Sequence, residues 1–137
     1  MVNTMNHEIH GEHEKILYAQ ECYAIQGAIF TVYREMGSGF LEAVYQECME
    51  KELSTCSMSF ISQRELKLYY KGEALEQTYR PDLICFCKII VELKTVKEIC
   101  PEHRAQVFNY LKASGLKLGL IVNFGHYPKV QIERIVL

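Results

Sequence analysis

From Tyr79 to Thr95 the chain reads Tyr-Arg-Pro-Asp-Leu-Ile-Cys-Phe-Cys-Lys-Ile-Ile-Val-Glu-Leu-Lys-Thr, and the end of this stretch is an apolar strand interrupted by Glu92 and Lys94. A strand turns alternate residues to opposite faces. Ile90, Glu92, Lys94 and Val96 therefore share one side, and Ile89, Val91, Leu93 and Thr95 share the other. A carboxylate and an ammonium in that setting are costly to bury unless they pair or bind something. If the preceding segment folds back as a hairpin, Asp82 reaches the same end of the sheet. Two carboxylates and a lysine meeting there suit a divalent metal ion and a phosphate, the ingredients of metal-assisted phosphodiester cleavage.

The length, 137 residues, fits one domain with a single core. No apolar run approaches the roughly 18 residues that span a bilayer, and residues 1–13 carry no hydrophobic signal core. The expectation is a cytoplasmic protein without membrane contact. Cys22, Cys48, Cys56, Cys85, Cys87 and Cys100 fall mostly inside apolar patterns, which reads as reduced, buried thiols. Cys85-x-Cys87 has no second pair at zinc-site spacing. The net charge of −2 does not mark a general nucleic-acid binder, so any such contact must come from a local basic patch.

Residues 1–13 read as a loose tail, in which His7, His10 and His13 recur every three residues. From Leu17 to Met36 a helical period runs through Cys22, Ile25, Ile29, Val32 and Met36, stopped by Gly37-Ser38-Gly39. A second helix is expected over about 41–53, with Leu41, Val44, Cys48 and Leu53 on one stripe and Glu42, Tyr45, Gln46 and Met49 on the next. Alternation over 60–70 reads as one strand closed by a turn at Lys71-Gly72-Glu73. Further strands are expected over 77–86 and 89–96, joined near Cys87-Lys88 without the Gly, Asn or Asp that a hairpin normally wants. A helix should start at Pro101 and stop at Ser114-Gly115, followed by strands over 118–124 and 130–137. The expected order is α, α, β, β, β, α, β, β, with residues 14–137 forming one domain.

Four ordered motifs carry a resemblance. Gly39-Phe-Leu-Glu42-Ala-Val-Tyr45-Gln46 matches the motif that names the GxxExxY family, a small bacterial and archaeal group within the PD-(D/E)XK nuclease superfamily. Pro81-Asp82 followed by Glu92-Leu93-Lys94 matches the superfamily signature. Gln106-Val-Phe-Asn-Tyr110 resembles the QxxxY motif of RecB-like nucleases. Tyr70-Lys71-Gly72 and the closing Gly115–Phe124 segment also fit, so the resemblance covers residues 17–137.

The resemblance implies an α/β (α+β) fold with a restriction-endonuclease-like core, a mixed central sheet flanked by helices. It implies catalytic roles for Asp82, Glu92, Lys94 and Glu42. Asp82, Glu92, Glu42 and the backbone carbonyl of Leu93 would hold Mg²⁺ or Mn²⁺, which prefer hard oxygen ligands. Lys94 would orient the attacking water or stabilise charge on the scissile phosphate. Gln106, Tyr110, Arg80 and Tyr45 would support the site, Gln106 and Tyr110 from one face of a helix. Lys97, His103, Arg104 and Lys112, with Lys117, would contact the backbone of the nucleic acid, DNA or RNA.

Each residue also has a plainer role open to it. Glu92 and Lys94 suit an ion pair on a sheet edge, and Asp82 after Pro81 suits a turn. Glu42 suits the first turn of a helix, where the dipole favours a carboxylate. Tyr45 and Tyr110 suit packing, Gln106 a solvated helix face, and the basic residues ordinary solvated charge. Three functions follow: a metal-dependent nuclease, a non-catalytic nucleic-acid or protein binding module on the same fold, or a subunit that works as a homodimer or in a larger assembly.

Overall fold

The structure is a computed structural model describing residues 16–137. The tail expected over 1–13, with its three histidines, lies outside the described residues.

Helix α1 (Ala19–Met36) buries Cys22, Ile25, Ala28, Ile29 and Val32, the stripe its apolar period called for. It ends where the Gly37 N–H donates to the Tyr33 carbonyl at 2.7 Å. Helix α2 (Glu42–Thr55) buries Tyr45, Met49 and Leu53 instead of the expected Leu41–Val44–Cys48 stripe. Leu41 is 78% exposed. The reason is that Tyr45 stacks on Phe124 with ring centroids 4.4 Å apart, and this rolls the helix toward its i, i+4, i+8 line.

Two expected strands divide. The run over 60–70 becomes β1 (Phe60–Ser62) and β2 (Leu66–Tyr70), broken at Gln63, which adopts a left-handed φ of 50°. The run over 77–86 ends as β3 (Glu73–Tyr79) and resumes as β4 (Leu83–Cys85). Pro81, which has no N–H for a ladder, separates them. The remaining elements are β5 (Ile89–Lys94), α3 (Pro101–Ser114), β6 (Leu118–Asn123) and β7 (Gln131–Val136), close to the expected bounds.

Five strands form one sheet in the order β1-β4-β5-β6-β7, while β2 and β3 pair separately. Within the large sheet β5 and β6 run parallel and the other neighbours antiparallel. The expected alternation holds in β5. Ile89, Val91 and Leu93 enter the core shared with α1 and α2, and Ile90 enters the core shared with α3. A mixed sheet covered by helices on both faces is the architecture expected from the sequence. No helix among the described residues is long and apolar enough to cross a membrane.

The thiols diverge from expectation: Cys22 and Cys85 are buried, but Cys56 and Cys87 are exposed. Burial pushes the Cys85 thiol up to about 12.

Candidate active site

The β4–β5 ladder pairs Leu83 with Val91, so continuing its register sets Asp82 opposite Glu92. The two residues lock together through backbone as well as side chain. The Asp82 N–H donates to Glu92 Oε2 at 3.0 Å, and the Leu93 N–H donates to Asp82 Oδ2 at 2.7 Å. Lys94, next on the Glu92 face, donates through Nζ to Gln106 Oε1 at 3.2 Å. Glu42, at the first position of α2, accepts the Thr95 N–H on Oε2 at 3.3 Å. Three separate elements thus bring Glu42, Asp82, Glu92 and Lys94 to the carboxyl end of β5.

Electrostatics sets this cluster apart from a surface ion pair. Glu92 is only 6% exposed. Burial first, then the neighbouring charge of Asp82, pushes its carboxyl up to about 8, against the Asp82 N–H and Lys94. Burial also raises the Asp82 carboxyl, with Glu42 adding to the effect and the Leu93 N–H and Lys94 opposing it. A group of carboxylates that resists ionising without a counter-charge is one that a cation would stabilise.

The donor atoms are of the kind a hard divalent ion takes, carboxylate oxygens. Asp82, Glu92 and Glu42 each have one oxygen engaged by a backbone N–H, leaving Oδ1, Oε1 and Oε1 without a hydrogen bond among the described residues. Among the described residues no group of three or more His, Cys, Asp or Glu side chains is placed so that it could hold a metal ion. Mg²⁺ does not require one, because one or two carboxylates with waters and substrate phosphates complete its shell.

The supporting residues separate into two groups. Gln106 and Tyr110 stay at the site. Tyr110 lies near enough for the charges of Glu92 and Asp82 to add to the burial that raises its phenol. Its ring stacks on Tyr79 at 4.3 Å, and the Tyr79 hydroxyl donates to the Tyr110 carbonyl at 3.1 Å. Tyr45 is not at the site. Its hydroxyl donates to the Gly37 carbonyl and accepts the Phe40 N–H, which ties the α1–α2 connection to the core. Arg80 turns to Glu65 at 3.6 Å rather than to Glu42.

The basic residues do not form one patch. Arg104 makes a two-pronged pair with Glu133 on β7, at 2.6 and 2.8 Å. Lys112, two turns along the same flank of α3, lies over the Phe108 ring at 5.4 Å. His103 closes the helix start, its Nδ1 accepting the Cys100 N–H at 3.2 Å. Lys97 and Lys117 are exposed.

Three contributors escaped the sequence reading. Gln46 reaches from α2 to the Asp82 carbonyl at 2.9 Å. Asn123, fully buried, accepts the Val96 and Gly125 N–H groups at 3.0 Å each and so holds the chain just beyond Lys94. Gly125 allows this approach, since a Cβ there would stand 2.6 Å from the Val96 carbonyl oxygen. A lone amide in the apolar run Leu118–Phe124 was the available signal for Asn123.

None of the curated proteins is significantly similar in sequence to this chain. The crystal structure of SSO0001 is similar over 87% of this chain at 16% identity with a TM-score of 0.55, a likeness of fold. This chain spans 57% of the length of that one. The sequence model of the PD-(D/E)XK nuclease superfamily matches residues 19–135. That match takes in both helices of the α1–α2 pair, the Asp82–Glu92–Lys94 cluster and all of the large sheet but its last residue, Val136, and the chain belongs to the PD-(D/E)XK nuclease superfamily.

Proposed function

We propose that this protein is a Mg²⁺- or Mn²⁺-dependent nuclease that hydrolyses phosphodiester bonds in DNA or RNA. The observation that carries the reading is the meeting of Asp82, Lys94 and the almost fully buried Glu92 at the end of β5. Nucleases of this superfamily generally use divalent metal ions. Asp82 and Glu92, with Glu42 and the Leu93 carbonyl, would hold the ion. When bound, it supplies positive charge that acidifies a water and offsets charge on the phosphate.

The chain's own groups do the rest. Lys94, held by Gln106, places an ammonium where charge develops on the phosphate, and a prepositioned donor costs no reorganisation during reaction. Tyr110, stacked on Tyr79 and near enough to feel the charges of Glu92 and Asp82, would limit the water on this side of the site. Low local polarity strengthens each charge interaction inside. The finer placement in the GxxExxY family is supported by Glu42 and Tyr45 acting in succession, one facing the site and the other anchoring its helix.

The experiment is cleavage of labelled DNA and RNA with Mg²⁺ or Mn²⁺ and with chelator, comparing wild type with Lys94→Ala. Metal-dependent cutting that falls at least about 100-fold in the variant is expected. Equal cutting by both proteins sinks the reading.

A second reading, a non-catalytic binding module, draws on one observation: Arg80 and Arg104 are engaged by Glu65 and Glu133 in a chain of net charge −2. Folded protein that binds nucleic acid and cuts none under any metal supports it. Light scattering after size exclusion tests for a homodimer.

A further inference from the structure

Asp82 is held from more directions than its pairing with Glu92 requires. Its N–H donates to Glu92 Oε2 and its Oδ2 accepts the Leu93 N–H. Its carbonyl accepts twice, from the Gln63 N–H at 3.2 Å and from Gln46 Nε2 at 2.9 Å. Only Oδ1 remains without a hydrogen bond among the described residues. The Gln63 and Leu93 contacts come from strand neighbours; the Gln46 contact comes from another layer of the fold.

Gln46 lies one helical turn after Glu42 on α2, so the two side chains leave the helix on one face. Glu42 accepts the Thr95 N–H just beyond β5, and Gln46 grips the Asp82 peptide just before β4. The end of α2 is thereby fastened across the mouth of the hairpin at two points. The amide has a defined orientation as well. Glu50 Oε2, a further turn along, takes the same Nε2 at 2.9 Å. Two acceptors at one end of a nearly symmetrical amide select which end faces Asp82.

From this arrangement we infer that Gln46 is a positioning residue, which sets the separation of the Glu42 carboxylate from Asp82 and is itself oriented by Glu50. The inference rests on the nuclease reading, in that it assigns Asp82 and Glu42 to one cation site. Gln46 touches neither cation nor phosphate. It acts through the Asp82 peptide, as supporting groups act on metal ligands elsewhere, where their loss costs on the order of 10- to 100-fold in affinity or rate.

The test measures Mn²⁺ affinity by titration calorimetry on the full chain, beside thermal unfolding in chelator. The variants are Gln46→Met, which keeps the length and loses the donor, Gln46→Glu, which sets a carboxylate against two acceptors, and Glu50→Gln. Gln46 borders an open groove with Ala43, Glu47 and Lys51, so each replacement has room. Gln46→Met is expected to weaken Mn²⁺ binding about 10-fold, Gln46→Glu more, and Glu50→Gln less. In a double-mutant cycle, Gln46→Met and Glu42→Gln should be clearly non-additive in Mn²⁺ affinity. That coupling is absent if the role is merely structural.

Folded Gln46→Met protein with wild-type Mn²⁺ affinity overturns the inference, and so does strict additivity with Glu42→Gln. Should Gln46→Met fail to fold, Glu50→Gln decides by the same two criteria. If wild type binds Mn²⁺, Gln46→Met weakens it and neither cleaves nucleic acid, the inference stands and the nuclease reading falls. Wild type that binds no Mn²⁺ overturns both.

Discussion

Two antiparallel hairpins follow one another along this chain, and only one bears the site. In β2–β3 the turn is Lys71-Gly72, with φ of 50° and 82°, the pair of positive values that matches the twist of a two-residue hairpin. In β4–β5 the corresponding residues are Phe86 and Cys87, both at φ 57°, with the Lys88 N–H returning to the Cys85 carbonyl at 3.0 Å. Neither has the freedom of glycine, so each carries a conformational cost of roughly 1 kcal/mol or more. The surroundings reverse the order. Every residue from Tyr69 to Gln77 is exposed, whereas Leu83–Cys85 and Ile89–Leu93 are all buried. A hairpin left in water depends on its turn; one clamped between helices can tolerate a poor turn. Phe86 packs on the core, its N–H donates to the Ser59 carbonyl at 2.9 Å, and Lys88 pairs with Glu21 at 3.2 Å. The same enclosure excludes water from Glu92, so the candidate site sits on the hairpin with the less suitable turn.

The contrast can be broken most forcefully by truncation. Ile89→Ala, at a fully buried position of β5, should cost about 2–5 kcal/mol in denaturant unfolding, while Leu75→Ala on exposed β3 should stay within about 0.5 kcal/mol. Comparable losses from both would mean that the outer hairpin is packed too. A second difference is pH-dependent. The Glu92 carboxyl lies near 8 in the folded protein against an ordinary 4.5, so between these values the native state keeps a proton that the unfolded chain has released. Stability in chelator should therefore fall as pH rises from about 4.5 to 8 and level off above, by an amount of several kcal/mol. Glu92→Gln should flatten that window, and an unchanged slope in this variant would rule Glu92 out as its source. A divalent cation should restore stability at high pH in wild type only.

Smaller effects come from the turns. Cys87→Gly should raise stability by about 1 kcal/mol, because glycine relieves the left-handed conformation at an exposed position. Gly72→Ala should lower it by about the same amount, read as opposite shifts in melting temperature. Equal and negligible shifts would show that packing masks turn chemistry in both hairpins.

Much of this was legible beforehand, for identifiable reasons. Hydrophobic periods reported α1, α3, β5 and β6 because each buries a face whose spacing is set by local geometry. The face shared by Glu92 and Lys94 followed from strand alternation alone, whereas Asp82 reached it only on the condition that the preceding segment folds back as a hairpin. The two strands that divided did so at Gln63 and Pro81, where the chain changes sheets. Alternation continues across such a break, and local pattern does not register it. The tilt of α2 depended on a partner 79 residues away, Phe124, which no helical stripe contains.

By itself, then, the sequence determined the superfamily, the element types and the residues with charge to offer. Tertiary structure decided which of those charges meet. The sequence left Arg80 and Tyr45 as supporting candidates beside Gln106 and Tyr110, and Arg104 and Lys112 as contacts for a nucleic-acid backbone; packing set Arg80 against Glu65, Tyr45 against Phe124, Arg104 against Glu133 and Lys112 against Phe108. Gln46 and Asn123 joined through contacts to backbone groups far away in the chain. The physical reason is range: periodicity records which way a side chain faces within its own element. The burial that raises the Glu92 carboxyl and the hydrogen bonds that orient Asp82 come from elements brought together only by folding.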